Sequence, residues 1–351
     1  MLQVISNDDP IKWNKIVKSF KDHDVYYLAE YSKAFQIHGD GDPILFYFDN
    51  GKIRAINVVM KRDIAYDTNF KNKIPTDTYF DIITPYGYGG WIIDGEKVAY
   101  CDIFQSYEQY CIKNSIVCEF VRFHPVLQNN NGLEASYNIV ELGKTISIDL
   151  LSKEQIFADF TSQNRNKIRK ALKNDVAVYW GRSPLLFEKF EQIYNATMDK
   201  DDATEYYYFD NDFYYSILND LKYNCLIFYA VYENKIISMS LIIFANNKAH
   251  YYLDGSVREY LKLSPTNLIF HEAASVWALE NGFKMLLLGG GLGGKEDSLF
   301  SFKKPFNREK INSFYIGKMI FNDKAYRELI KIRQSESYFD LNSAFFPIYR
   351  Q

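Results

Sequence analysis

LIFYAVYENKIISMSLIIFANNKAHYYLDGSV (residues 226–257) is the stretch that decides the fold. Two apolar runs, 226–232 and 235–244, flank Glu233–Asn234, the two-residue spacing of a β-hairpin. A third strand, 248–257, follows directly. Next comes SPTNLIFHEAASVWALENG (264–282), which reads as a helix with Ser264 as N-cap, Pro265 at the first helical position and Gly282 as terminator. KMLLLGGG (284–291) then closes the run as a buried strand. Working back toward the N-terminus, the same order occurs again. After a helix around Pro10–Phe20, PILFYFD (43–49) and KIRAINVVMKR (52–62) flank Asp49–Asn50–Gly51. YFDIITPYGYGG (79–90) is a strand that breaks into a Gly-rich loop, a helix is expected over about 97–113, and VCEFVRFHP (117–125) is a strand. Hairpin, strand, loop, helix and strand thus appear twice, which argues for two copies of one α/β domain with a mixed sheet. Between the copies, TISIDL (145–150) leads into a helix opened by a capping box, Ser152 with Gln155. The boundary is therefore expected near 145, giving domains 1–145 and 146–351.

Composition narrows the function classes. The chain has 351 residues, 47% hydrophobic and 24% charged, as expected of a globular protein with room for two cores. No apolar run reaches 18 residues, so no membrane span is expected. The N-terminus lacks a basic segment followed by an apolar one, which together with the cysteine pattern predicts a cytoplasmic protein. Cys101, Cys111, Cys118 and Cys225 form no Cys-x-x-Cys pair and read as free thiols. The five histidines show no ligand-like spacing, so no metal is expected. A Gly-x-Ser-x-Gly elbow is absent, leaving a serine-hydrolase mechanism without support. Net charge is −3, but unevenly spread. Residues 161–173 hold five basic and no acidic residues, 301–333 hold nine basic against three acidic, and 199–220 hold seven acidic against one lysine. Either these are solvated helix faces, or they form a basic track for a phosphate-bearing ligand and an acidic segment facing a cation. The 29 tyrosines read mostly as core rims.

Several local segments resemble one family. NRNKIRKALKNDVAV (164–178) looks like the basic helix and strand that open the second domain of FemAB-like acyltransferases. IYNATMDKDDA (193–203) is similar to their Thr-Met segment, and LLLGGGLGG (286–294) followed by SLFSFKKPFN (298–307) to their Gly-Gly strand end and downstream Phe-Lys. The resemblance covers nearly the whole chain and implies two tandem GNAT-fold domains, the first on the acceptor side and the second on the donor side. The implied reaction is amide formation: an amine attacks an activated ester or thioester. In that family the donor is an aminoacyl-tRNA and the acceptor a peptidoglycan-precursor peptide; other tandem relatives use acyl-CoA and modify amino sugars or metabolites. No tightly bound cofactor is implied, only acyl-CoA or aminoacyl-tRNA as co-substrate.

Candidate site residues follow. Phe302 and Lys303 match the Phe-Lys position, where a lysine could face a developing oxyanion or a terminal phosphate; the alternative is a surface lysine after a core phenylalanine, and neighbouring Lys304 could take its place. The loop 84–90 offers Tyr86 and Tyr88 as acceptor-binding groups, or is a tight structural turn. Asp81, three residues upstream, is a candidate to orient or deprotonate the amine. Ser264 and Asn267 stand at a helix start where GNAT enzymes hold the CoA pyrophosphate, and the basic helix brings Arg165 and Arg169 toward the donor. The sequence departs from the family in places. Arg258 stands without a Gly-rich loop before the helix, and Pro265 removes a donor N–H. Tyr31, Lys33 and Phe35 stand where the family has a Trp followed four residues later by Lys; Lys33 is the acceptor-binding candidate there, in a shifted register. Lys200, the other acceptor-binding candidate, stands where the family tends to have Arg and cannot grip a phosphate bidentately. These departures count against a UDP-linked wall precursor as acceptor. A different class of reading is a non-catalytic GNAT protein that binds an envelope peptide or sugar through the tyrosine loop and the acidic segment.

Overall fold

The computed structural model describes residues 1–96, 100–307, 309–336 and 338–351. The chain divides into two compact units. Unit 1 comprises Met1–Glu141 and Phe314–Gln351; unit 2 is Leu142–Ser313.

In unit 1 the strands are β1 (Leu2–Ser6), β2 (Asp42–Asp49), β3 (Arg54–Asp63), β4 (Phe80–Ile83), the short β5 (Ile92–Asp94) and β6 (Ile116–Arg122). In unit 2 they are β7 (Asn138–Asp149, which enters from unit 1), β8 (Ala177–Gly181), β9 (Cys225–Tyr232), β10 (Lys235–Ala245), β11 (Lys248–Ser256) and β12 (Met285–Gly289). The last strand, β13 (Ile311–Ile320), returns the chain to unit 1. Unit 1 runs β1-β2-β3-β4-β6-β13 and unit 2 runs β8-β9-β10-β11-β12-β7. Within each, every neighbouring pair is antiparallel except the fourth and fifth strands, β4 with β6 and β11 with β12. The repeated order legible in the sequence is therefore a repeated topology.

Turn chemistry fixes the hairpins. Glu233 and Asn234 have φ of 48° and 61°, the left-handed pair of a two-residue turn. In unit 1 Gly51 takes φ 82° and the ladder closes with Asp49 opposite Arg54. The helices are α1 (Pro10–Lys18), α2 (Ala29–His38), α3 (Tyr100–Lys113), α4 (Lys153–Asp159), α5 (Ser162–Lys173), α6 (Pro184–Lys200), α7 (Asn211–Asn219), α8 (Pro265–Glu272, continued by a π turn over Ala273–Ala278), α9 (Ser298–Lys303) and α10 (Asp323–Arg333). The expected start of α3 at Lys97 lies outside the described residues. The capping box before α4 is half formed: Ser152 accepts the Gln155 N–H, but the Gln155 side chain turns to Asp159.

Two differences from the sequence reading concern domain limits and a cap. The reading ends the first domain at 145 and gives everything after it to the second; instead 314–351 packs in unit 1. The reason is burial. Ala325 and Leu329 of α10 and Tyr349 close over Ile64, Phe70, Val117 and Cys118, and β13 pairs with β6. Ser264, read as an N-cap, takes φ 57° and its hydroxyl makes no capping bond.

The main cores differ in polarity. In unit 2, Ile146 and Ile148 of β7, Ile242, Ala249 and Leu286 meet Ile168 of α5 and Leu268, Ile269 and Phe270 of α8. Unit 1 encloses Phe46, Val59, Trp91, Ile103 and Phe123, and with them a carboxyl group. Glu119 is fully buried and accepts bonds from Asn57 Nδ2 (2.9 Å) and the Tyr137 hydroxyl (2.6 Å). Burial raises its pKa to about 7 against those donors.

Candidate active site

In unit 2 the parallel ladder between β11 and β12 holds only three pairs, Lys248–Met285, Ala249–Leu286 and His250–Leu287. Beyond it, β11 continues through Tyr251 and Asp254 while β12 breaks at Gly289, whose φ is 75°. A Cβ on Gly291 would run into Lys295 O and the Asp297 carboxylate, so the turn that follows is as tight as its glycines allow. Asp297 organises this turn. It caps α9 by accepting the Phe300 N–H (2.9 Å) and also takes the Leu292 N–H (2.8 Å). Burial opposes its charge, but these backbone donors win and hold its pKa below the usual carboxylate range.

Helix α9 delivers Lys303 into this opening. The side chain is 5% exposed, donates from Nζ to Gly290 O at 2.7 Å, and lies 5.2 Å from the Tyr251 ring centre. Burial draws its pKa down to about 8, with Asp254 and Asp297 pulling the other way. Asp254 is held above the usual carboxylate range, by burial first, while the Tyr251 hydroxyl that it accepts favours its charge. Lys200, at the end of α6, belongs to the same electrostatic neighbourhood, paired with Asp201 at 3.0 Å. Lys304 is exposed. Phe302 packs against Phe270 and Phe306 with ring centres 5.8 and 6.0 Å away, so it anchors α9 rather than touching the opening through a polar group.

The residues expected to bind a donor have other employment. Arg165 donates to Phe160 O and to Ala158 O (3.1 Å), capping α4. Asn267 is buried and donates to Asn164 Oδ1 at 2.8 Å, tying α8 to α5. Ser264 and Pro265 give α8 a start with one N–H missing. Arg169 remains exposed, its guanidinium 5.2 Å from the Phe157 ring centre.

Unit 1 presents a closed counterpart. Where β4 ends, the loop continues the ladder: Thr84 N–H bonds Phe120 O (3.1 Å), Gly89 N–H bonds Arg122 O (2.8 Å), and Gly89 bridges Phe123. A Cβ on Gly87 would lie 2.5 Å from the Tyr26 ring. Tyr86 stacks on Phe35 at 5.9 Å, and its carbonyl accepts the Tyr31 hydroxyl at 2.5 Å. Tyr88 packs edge-on to Tyr26 (5.6 Å) and Phe314 (5.4 Å), and burial raises its pKa. Both rings are half-buried and grouped, while Lys33 points to solvent from α2. Asp81 is not the base the sequence suggests. It is fully buried and receives four donors: Arg62 Nε (2.8 Å) and Arg350 Nη2 (3.2 Å) on Oδ1, and Arg350 Nε (2.5 Å) and the Tyr349 hydroxyl (2.9 Å) on Oδ2. Burial opposes its charge, yet the two arginines keep its pKa below the usual range, so it is an ionised structural hub without a lone pair to spare for an amine.

The residue the sequence reading missed is Asp254. Its signal was a carboxylate inside an otherwise apolar strand, YYLDGS.

Comparison with known proteins fits this arrangement. Residues 159–302 match the acetyltransferase (GNAT) domain family. No curated protein matches the sequence significantly. Among solved structures, FemX is similar at a TM-score of 0.66 and 14% identity, covering 93% of this chain and 99% of its own. The C-terminal domain of a putative lysylphosphatidylglycerol synthetase from Agrobacterium fabrum follows at 0.57 and 12%, covering 94% and 97%. A conserved protein of unknown function from Bacteroides thetaiotaomicron VPI-5482 follows at 0.55 and 9%, covering 91% and 99%. Residues 159–302 are thus similar to the acetyltransferase (GNAT) domain family, and the chain as a whole shares the fold of FemX, with the strand order of one unit repeated in the other.

Proposed function

We propose that the chain is an N-acyltransferase joining an activated acyl or aminoacyl ester or thioester to an amine, with a cell-envelope precursor peptide or amino sugar as acceptor. The observation that carries this reading is Lys303, an ammonium buried at the broken end of β12 with its pKa drawn to about 8. Such a group faces a developing oxyanion in a site of low polarity, and is a proton donor matched to neutral pH for the leaving group. Phe302 holds the helix that carries it.

An aminoacyl ester on tRNA suits unit 2 better than acyl-CoA. The start of α8 offers a poor pyrophosphate cradle, because Pro265 lacks an N–H and the Asn267 side chain is spent on Asn164. Meanwhile Arg169, Lys170 and Lys173 are exposed along α5, as RNA phosphates would require. Among the described residues no helix is long and apolar enough to cross a membrane, and we place the reaction in the cytoplasm, where both donor classes are made.

The test compares thermal unfolding with CoA, acetyl-CoA and an RNA acceptor-stem hairpin, then transfer with Lys303→Ala and Lys304→Ala. A ligand at a hundredfold excess over Kd adds about 2.7 kcal/mol to stability. A salt-sensitive shift with the hairpin, and loss of transfer in Lys303→Ala but not in Lys304→Ala, is the expected result. A shift with CoA species alone would replace the donor. Equal mild losses in both variants would remove Lys303 from the mechanism.

A further inference from the structure

Two polar pairs lie side by side across β10 and β11. Ser238 faces Ser256, and Ser240 faces Asp254, in the antiparallel register that puts opposed side chains on one face. The first pair is closed. Thr266 from α8 completes a hydroxyl triangle with distances of 2.9, 3.0 and 3.2 Å. The second is open. Ser240 is fully buried, yet its hydroxyl has no hydrogen-bond partner among the described residues. Asp254 receives Tyr251 on Oδ1, and no donor among the described residues reaches Oδ2. A buried hydroxyl left unpaired costs stability comparable to a lost hydrogen bond, and Ser240 Oγ beside the Asp254 carboxylate presents two acceptors suited to a donor-rich group.

We propose that Asp254 and Ser240 seat the ammonium group of the acceptor, and that Asp254 takes the proton this group must shed before it attacks. This rests on the transfer reaction proposed above. An alkylammonium brings three N–H donors and a positive charge; Asp254 Oδ2 and Ser240 Oγ supply two acceptors, one of them charged. The groups facing Asp254 are Tyr251 on its own strand, Lys303 from α9, and Lys200 and Asp201 from the end of α6. With the proton on Asp254, the nitrogen lone pair attacks the carbonyl carbon of the acyl ester or thioester. The C–N bond forms and the C–O or C–S bond breaks. Lys303 protonates the departing oxygen or sulfur and is recharged by the second nitrogen proton, and Asp254 returns its proton to water. Nothing is oxidised or reduced.

The acceptor class this predicts is a primary alkylamine, cationic in solution. The probe is n-butylamine at pH 7, with n-butanol as its neutral counterpart, followed by ligand-observed NMR on the full chain. Wild type should bind the amine and not the alcohol. Asp254→Asn should weaken amine binding at least tenfold, and Ser240→Ala a few-fold; because the serine change removes only a hydroxyl, it keeps the test valid if the asparagine variant unfolds. Unchanged amine binding in both variants, or equal binding of butanol, overturns the site. In transfer assays with alanyl-tRNA and acetyl-CoA, Asp254→Asn should lower kcat by a factor of about 10² to 10⁴ and flatten the acidic limb of the rate profile, whereas Ser240→Ala should act mainly on KM. Amine binding that depends on Asp254, without turnover of either donor, counts for the seat and against the transfer reaction.

Discussion

Replacing Lys303 by methionine separates two consequences of burying an ammonium. The lysine has a folded-state pKa of about 8 against an ordinary 10.5. Between those values the folded protein holds fewer protons than the unfolded chain, so wild-type stability rises with pH across that window. Below it the full cost of keeping the charge buried is present. At 1.36 kcal/mol per pH unit that cost is about 3 kcal/mol at pH 7, falling to about 1 kcal/mol at pH 9.5. Methionine fills a similar volume without the charge but leaves Gly290 O without its donor, a loss of about 1 kcal/mol. Lys303→Met should therefore be about 2 kcal/mol more stable than wild type at pH 7 and nearly level with it at pH 9.5, while losing transfer activity. Urea unfolding of both proteins at the two pH values measures this. A wild type that is the more stable at pH 7, or a difference that does not move with pH, would refute the assignment of Lys303 as a buried, destabilising functional group.

Further outcomes are open to the same kind of measurement. Glu119, raised to about 7, holds more protons folded than unfolded above its ordinary 4.5, so its contribution is lost as pH rises through that window; Glu119→Gln should match wild type near pH 4.5 and exceed it by about 3 kcal/mol at pH 8 in urea unfolding. Asp81→Asn breaks a buried ion pair and should cost about 3–5 kcal/mol in chemical denaturation while sparing the chemical step. Because its folded pKa is lowered, the stability Asp81 supplies is present above the ordinary carboxylate range and fades as pH falls through the lowered value. Gly143→Ala drives a methyl group into Gly294 O and should destabilise unit 2 by about 2 kcal/mol, visible as a lowered urea midpoint. Arg165→Ala should lower stability by uncapping α4 while leaving salt-dependent RNA binding intact, whereas Arg169→Ala should do the reverse in a filter-binding titration.

What could be read from the residues was what acts locally. The Asn-Gly and Glu-Asn turns, the alternation of apolar runs and the N1 proline set hairpins and helices within a few residues, and their repetition exposed the tandem plan. Lys303 entered the reading through its match to the family's Phe-Lys position, and nothing in the pair itself told which of Lys303 and Lys304 is the buried one. Asp81 and Asp254 were not distinguishable in that way. Each is one carboxylate in an apolar strand, and only the structure shows that Arg350, 269 residues away in sequence, neutralises the first. Ser264 carries a good capping side chain, but its backbone is spent ending the preceding turn in the left-handed region, so the hydroxyl cannot reach back. The register that puts Ser240 opposite Asp254 depends on a bulge between Leu241 and Ile242, which no residue pattern announces.

The route of the chain through its two units sets an order of events at the ribosome. Unit 2 is one continuous segment, whereas unit 1 opens the sequence and is finished only by its last residues. Until 314–351 emerges, β6 has no β13 beside it, Val117 and Cys118 lack the cover of α10 and Tyr349, and Asp81 has lost one of its two arginines. An N-terminal half made alone would expose an unpaired strand edge and an apolar face together, a combination that promotes aggregation. A nonsense mutation just before residue 314 would thus damage the part of the protein that was translated first, and leave the part translated just before the stop folded.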